Sequence, residues 1–278
     1  MENTLSISAL SSVRKTERVE QTFRPFGSDF YRDLFAMYGQ PLTTDAMEIG
    51  RFSTFEGLCI DAIEKLGGRA AIEGVDLLVL AHYLPNTIAY HSTTSFLLER
   101  YGLNAFAFAV SDQERGASFT ALDVARDYFA TGGATKALLI TVEQSTLPMP
   151  VAWPAPDTVT DSAVAMVLEA GALTSPTLVR TGTSATADAA GLASALLDTA
   201  GVSPEKTAWL LSDGLKPLFP SVRSRATAAD SAVSAFWLGM EEWLKEDNGE
   251  THLLALGESC GRARGFLVRK PQQPEPRN

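Results

Sequence analysis

Long, nearly unbroken apolar runs punctuate this chain at 75–81, 137–142 and 160–168. They lack the alternation of a half-exposed strand, so they predict strands covered on both faces, as in a parallel or mixed sheet. Amphipathic stretches with helical spacing lie between them. In 53–66, Leu58, Ile60, Ile63 and Leu66 recur close to every 3.6 residues, and Gly67-Gly68 ends the run. In 116–130, Phe119, Leu122, Ala125 and Phe129 share one side ahead of Gly132-Gly133. A helix ending over 99–103 and a strand over 105–110 complete this part, whereas residues 41–52 are mixed and polar.

The second half repeats the plan in shortened form. It reads as a strand over 177–181, a helix over 189–200, a strand over 209–211, a helix over 228–245, and strands over 253–257 and 265–269. Alternating covered strands and helices predict an α/β layered fold. The expected division is an N-terminal half, 1–170, and a C-terminal half, 171–270. A proline-rich loop carries Pro148, Pro150, Pro154 and Pro156, and the polar tail over 271–278 is expected to be disordered.

At 278 residues, 45% hydrophobic and 20% charged, the chain has enough apolar material for one large α/β unit or two compact ones. No stretch reaches the roughly 20 apolar residues of a membrane span. Met1-Glu2-Asn3-Thr4-Leu5 lacks the basic and apolar regions of a secretory signal. A net charge of -10 weighs against nucleic acid or an anionic membrane as partner. The two cysteines, Cys59 and Cys260, are far apart and show no metal-ligand spacing, which predicts a reduced, cytoplasmic protein. Cys59 sits in the 53–66 helix as a small core residue. Cys260, in a turn beside Arg262 and Arg264, is the better-activated thiol on electrostatic grounds, yet a structural role fits it better.

Other chemistry is sparse. His82 and His91 flank a loop at a strand end, and with Ser92, Asp112 and Ser118 they could supply a His, Ser and Asp set. Nothing in their spacing selects that set, and neither they nor His252 form a metal signature. No glycine-rich nucleotide loop occurs, so no cofactor is expected.

The order of elements from Asp76 to Glu143 carries a resemblance, together with the helix Phe119-Thr120-Ala121-Leu122-Asp123 and the segment Thr160-Asp161-Ser162-Ala163 before an apolar strand. It resembles ketoacyl-acyl-carrier-protein synthase III, of the thiolase superfamily. The resemblance implies a thiolase-like α/β fold, with two βαβαβ-rich halves in an αβαβα sandwich and a shortened second half. It also implies three catalytic slots, and each departs from the family pattern here. The cysteine slot falls in Ser111-Asp112-Gln113-Glu114-Arg115-Gly116, on Arg115, or on Gly116 if the loop is one residue shorter. The histidine slot, after Trp209-Leu210-Leu211-Ser212, falls on Asp213. The asparagine slot falls on Ala229. The glycine-rich C-terminal loop becomes Gly257-Glu258-Ser259-Cys260-Gly261-Arg262.

With no thiolate, enolate-stabilising histidine or asparagine, the resemblance implies a non-catalytic subunit. Such a subunit would pair with an active Cys-His-Asn ketosynthase in a fatty-acyl or polyketide-type secondary pathway. Pairing would run through the first half, with the 137–142 strand crossing the two-fold. Acyl carrier protein or acyl-CoA are the other expected partners, and Arg115, Arg223, Arg225, Arg262 and Arg264 are candidates for carrier contact. The alternative is an acyltransferase or hydrolase of the same fold with Ser118 as nucleophile. A packing or capping role for Ser118 competes with that alternative.

Overall fold

A computed structural model describes residues 5–15, 53–86, 92–145, 159–171, 175–228 and 231–271, with isolated positions at 33, 36, 37 and 39. In chain order, the first half runs β1 (Leu5–Lys15), α1 (Phe55–Leu66), α2 (Gly68–Ala71), β2 (Leu77–Ala81), α3 (Thr93–Tyr101), β3 (Phe106–Val110), α4 (Gly116–Ala130), β4 (Lys136–Glu143) and β5 (Asp161–Ala170). The second half runs β6 (Thr177–Ala185), α5 (Ala189–Ala200), β7 (Thr207–Leu211), β8 (Ser224–Ala226), α6 (Ala235–Lys245), β9 (His252–Ser259) and β10 (Arg262–Arg269).

The strands form one sheet in the order β3-β2-β4-β5-β1-β6-β10-β9-β7-β8. Its two five-strand sets repeat each other. In the first, β1–β5 and β5–β4 pair antiparallel, while β4–β2 and β2–β3 pair parallel. In the second, β6–β10 and β10–β9 are antiparallel, while β9–β7 and β7–β8 are parallel. The sets meet where β1 pairs with β6, at Leu5↔Leu178 and Ser6↔Thr177. The repeat is shortened in the second half. Between β2 and β3 stands the helix α3, whereas between β7 and β8 stands the single 3-10 turn Lys216–Leu218.

The strand pleat divides the core into seams, because alternate side chains point to opposite faces. Leu77 and Val79 of β2, Leu139 of β4 and Met166 of β5 face inward. There they meet α4, α6 and the inner faces of β7, β9 and β10. Leu78, Leu80, Ile140 and Val167 face outward against α1 and α3. In the second half Trp209, Leu211, Leu254 and Leu267 face outward against α5. Two helices are thus sandwiched between sheet faces and the others cover the outsides, giving the αβαβα layering. Within the middle layer Trp237 stacks on Phe266 at 4.7 Å and 2°, and Phe119 meets Phe236 edge-on at 5.1 Å. Such pairs add roughly 0.5–1.5 kcal/mol each beyond area burial.

Local signals explain several boundaries. Thr54 caps α1 by accepting from the Gly57 amide at 3.0 Å, and Gly67, at φ +123°, ends the helix. The Asp76 carboxylate ties β2 to β4 by accepting from the Thr135 amide and hydroxyl and from the Lys136 amide. Burial acts to raise its pKa, but these bonds win and hold it below the usual carboxylate value.

Four features differ from the sequence reading, two of them strands it did not foresee. The first is β1, which hydropathy does not announce: Ser6 and Ser11 are buried yet polar, and their hydroxyls bond the carbonyls of Glu169 and Ala62. The second is the 228–245 helix, which begins only at Ala235, because the Glu143 carboxylate fixes residues 231–233 in a bend before it. The third concerns the 137–142 strand, which cannot cross a two-fold: β4 is hydrogen-bonded to β2 on one edge and β5 on the other. Among the described residues the free edge of the first half is β3. The fourth is β8, three residues long and unforeseen. The proline-rich loop, His91, Ala229 and the tail from 272 on lie outside the described residues. Among the described residues no helix is long and apolar enough to cross a membrane.

Candidate functional site

The parallel strands β2, β3 and β4 end where α4 begins, and in the second half β7 and β9 end beside the approach to α6. Ligand sites of open α/β sheets form at such strand ends. The loop 111–115 enters α4 in a constrained shape. Asp112 and Glu114, at φ +60° and +49°, both take the left-handed conformation that side chains with a Cβ avoid. Gln113 anchors the loop. Its side-chain oxygen accepts from Thr120 Oγ1 at 2.6 Å, and its carbonyl accepts from Ser259 Oγ at 2.6 Å and from the Gly116 amide at 2.8 Å.

Arg115 occupies the N-cap position of α4, half-buried and in helical conformation, and makes no side-chain cap bond. A cation there opposes the helix dipole, which favours negative charge at its N-terminus. Two carboxylates answer it: Arg115 lies within Coulombic reach of Glu143, at the end of β4, and Asp213, after β7. Gly116, the alternative slot, has no room for a side chain. A Cβ there would stand 2.7 Å from Ser259 Oγ and 3.2 Å from Ser259 Cβ. Ser118 is fully buried, and its hydroxyl donates to the Arg115 carbonyl at 3.2 Å. That bond within the first turn is the usual packing arrangement of a helical serine.

Glu143 is the residue that sequence reasoning missed. It is 3% exposed and accepts from the Ala232 amide at 2.7 Å, from the Val233 amide and from the Ser231 hydroxyl. Beside it Thr141 and Ser234 share a hydroxyl hydrogen bond of 2.9 Å. Burial pushes the Glu143 carboxyl above its ordinary value, and the three donors and Arg115 pull less strongly the other way. The available signal was a carboxylate closing an otherwise apolar strand, which needs a buried partner. Asp161 makes a similar tie, accepting from the amides of Ser145 at 2.6 Å and Ser53 at 3.3 Å.

Asp213 is exposed and pairs with Lys216 at 2.7 Å. The Lys216 hydrogen bond, against a smaller effect of burial, lowers its pKa, with help from the Lys216 and Arg115 charges. The structure therefore brings two of the three slots, Arg115 and Asp213, into one electrostatic group, and Ala229 falls outside the described residues. At the end of β9, Glu258 closes the space over Gly214, where any Cβ would collide with its carboxylate. Gly257 lies against the Phe236 and Phe119 rings, whose carbons would stand 2.8 and 3.1 Å from a Cβ added there.

The two carrier-contact candidates of the C-terminal hairpin differ. Arg264 reaches back to Thr120 on α4, and its Nε is buried without a partner among the described residues. Arg262 is exposed. Cys260, exposed at φ +51°, forms the hairpin turn, and Cys59 is wholly buried, which raises its thiol pKa. His82 takes a structural place, with Nδ1 2.9 Å from the Leu84 carbonyl and its ring edge-on to Phe55 at 5.3 Å. Burial lowers its pKa. Ser92 caps α3, accepting from the Ser95 amide at 3.3 Å. Among the described residues neither is hydrogen-bonded to Ser118. Among the described residues no three metal-ligating side chains converge.

No family model matches this chain, and no curated protein does. Solved structures do match along nearly its whole length. A single-residue variant of OleA from Xanthomonas campestris superposes with a TM-score of 0.65 at 14% identity, covering 96% of this chain and 98% of that one. The 3-oxoacyl-(acyl carrier protein) synthase III, FabH, of Pseudomonas aeruginosa gives 0.65 at 16% identity, covering 98% and 100%. The acyltransferase ChlB3 gives 0.69 at 15% identity, covering 96% and 98%. The fold is that of thiolase-like, ketoacyl-synthase-III-like proteins. At these identities the likeness concerns the fold alone.

Proposed function

We propose that this chain is a non-catalytic ketosynthase III-like subunit that pairs with an active ketosynthase in a fatty-acyl or polyketide-type pathway. The observation that carries the proposal is the filled N-terminus of α4. Nucleophilic acyl transfer needs a thiolate or an activated hydroxyl with access to substrate. Arg115 stands there instead, compensated by Glu143 and Asp213, Ser259 fills the space over Gly116, and the hydroxyl of Ser118 is buried. The α4 N-terminus thus offers an acyl donor no exposed thiol or hydroxyl, while the scaffold is kept.

The β3 edge supports pairing. Among the described residues β3 is bonded to β2 alone, and its sequence, Phe106-Ala107-Phe108-Ala109-Val110, carries no charge and no proline. Phe106 is 59% exposed and stacks on Tyr128 at 5.9 Å and 26°. Natural edge strands usually carry charges, prolines or bulges that block pairing, so a bare apolar edge is suited to being covered by another chain. Co-expression with an active Cys-His-Asn synthase from the same pathway, followed by size-exclusion chromatography, tests the proposal. It expects a stable mixed complex that Phe106→Lys disrupts. A chain that elutes alone beside a fully active synthase would overturn it.

A further inference from the structure

A second concave region shares no residue with the α4 N-terminus, and the subunit role proposed above does not use it. A cavity of about 880 Å³ opens between the C-terminal end of α6, the loop before β9 and the last residues of β10. Small-molecule sites fall in this size range. Ala200, Leu244 and Pro271 supply an apolar wall. Its charged lining is Lys245, Glu246, Asp247, Glu250, Arg269 and Lys270, with Thr251 and His252 between them.

Most of these charges are already committed. Arg225 holds Glu246 with two bonds, at 2.7 and 2.6 Å, and Glu250 with a third at 3.1 Å. Lys245 pairs with Glu241 at 2.8 Å. Lys270 Nζ donates to the Glu246 carbonyl at 2.5 Å and sits 4.8 Å over the Trp243 ring, so its position is fixed without an ion pair among the described residues. Arg269 likewise takes part in none of the ion pairs formed among the described residues. It stands directly across from His252 in the β9–β10 pairing. His252 Nδ1 is bonded to Thr251 Oγ1 at 2.9 Å, which leaves Nε2 uncommitted among the described residues. Asp247 is the one acid of the lining with neither an ion pair nor a hydrogen bond among the described residues, and it is exposed.

We infer that this cavity is a binding site for a small organic anion, with a carboxylate or phosphate seated between Arg269, His252 and Lys270 and an apolar body lying along Ala200, Leu244 and Pro271. Arg269 provides the planar fork that suits oxyanions, His252 and Thr251 provide further polar contacts, and Lys270 adds a second positive charge. His252 also reports occupancy. Burial, and secondarily the Arg269 charge, lower its pKa. An anion between the two removes part of that effect and favours the imidazolium, so binding must raise the His252 midpoint.

The test is an NMR titration of the imidazole signals, of which the chain has three, in the full-length protein. Inorganic phosphate and butyrate are compared with chloride at equal ionic strength. The expected result is a saturable rise of the His252 midpoint, by about half a pH unit or more, while His82 stays in place. The response is expected to vanish in Arg269→Gln and to persist in Arg269→Lys. A response to butyrate alone assigns a carboxylate with an apolar body, and a response to phosphate alone assigns a phosphorylated ligand. No shift with either anion, equal shifts at His82 and His252, or a response that survives Arg269→Gln would overturn the assignment.

Discussion

The central helices α4 and α6 hold equivalent places in the two halves, yet their N-termini are furnished in opposite ways. Ahead of α6, a buried carboxylate, Glu143, gathers the Ala232 and Val233 amides and the Ser231 hydroxyl. That is the sign of charge a helix N-terminus favours. At α4 the corresponding place holds Arg115, the opposite sign, with no side-chain cap. The same Glu143, together with Asp213, compensates it. One helix end therefore has its leading N–H groups satisfied by a buried carboxyl, while the other tolerates its cation through charges borrowed from elsewhere. A nucleophile would have used the α4 end, where the dipole stabilises an anion. Arg115 stands at that end instead.

Breaking the α6 end should produce the largest effect. Glu143→Ala would strand two buried amides and a hydroxyl and uncover Arg115, so denaturant unfolding should show a loss of about 3 kcal/mol. Glu143→Gln should behave differently, because its amide oxygen can accept from the two backbone N–H groups while its NH2 donates to Ser231. It should be near neutral in stability, and it should alter the pH dependence. Burial raises the Glu143 carboxyl above its unfolded value. The wild-type group therefore contributes stability that is present below the ordinary glutamate pKa and lost as pH rises through the raised one. Unfolding followed across that interval should show this decline in the wild type and not in Glu143→Gln.

The α4 end should yield smaller numbers. Gly116→Ala places a methyl 2.7 Å from Ser259 Oγ, and overpacking of this kind should cost about 1–3 kcal/mol. Ser259→Gly should recover most of that loss. A double-mutant cycle between Arg115→Gln and Glu143→Gln should give a coupling of about 1 kcal/mol, since each charge compensates the other. Ser118→Ala should be the mildest change, under about 1 kcal/mol by calorimetry, because it removes one long hydrogen bond to a backbone carbonyl.

Much of the fold is legible in the sequence where packing is dictated locally. The buried runs became β2, β4 and β5, and the amphipathic 116–130 segment is α4 to the residue. What stayed hidden depends on partners distant in the chain. β1 is a strand because β5 and β6 offer it edges, and its serines are satisfied by the carbonyls of Glu169 and Ala62. The segment before Ala235 looks helical until the Glu143 carboxylate, 88 residues before Ser231, claims that hydroxyl and the two amides after it. The resemblance implies pairing across a two-fold at the 137–142 strand, but among the described residues the outer strand of the first half is β3. At the site, the resemblance pointed to Arg115 and Asp213, and the geometry joined them to Glu143.

The most direct test of delegated chemistry is the intact mass of the purified chain after incubation with acyl-CoA and with acyl carrier protein charged by the pathway's own acyl group. A subunit without a usable nucleophile should show an unchanged mass with either donor. A stoichiometric acyl adduct on the wild-type chain that disappears in Ser118→Ala would contradict that role.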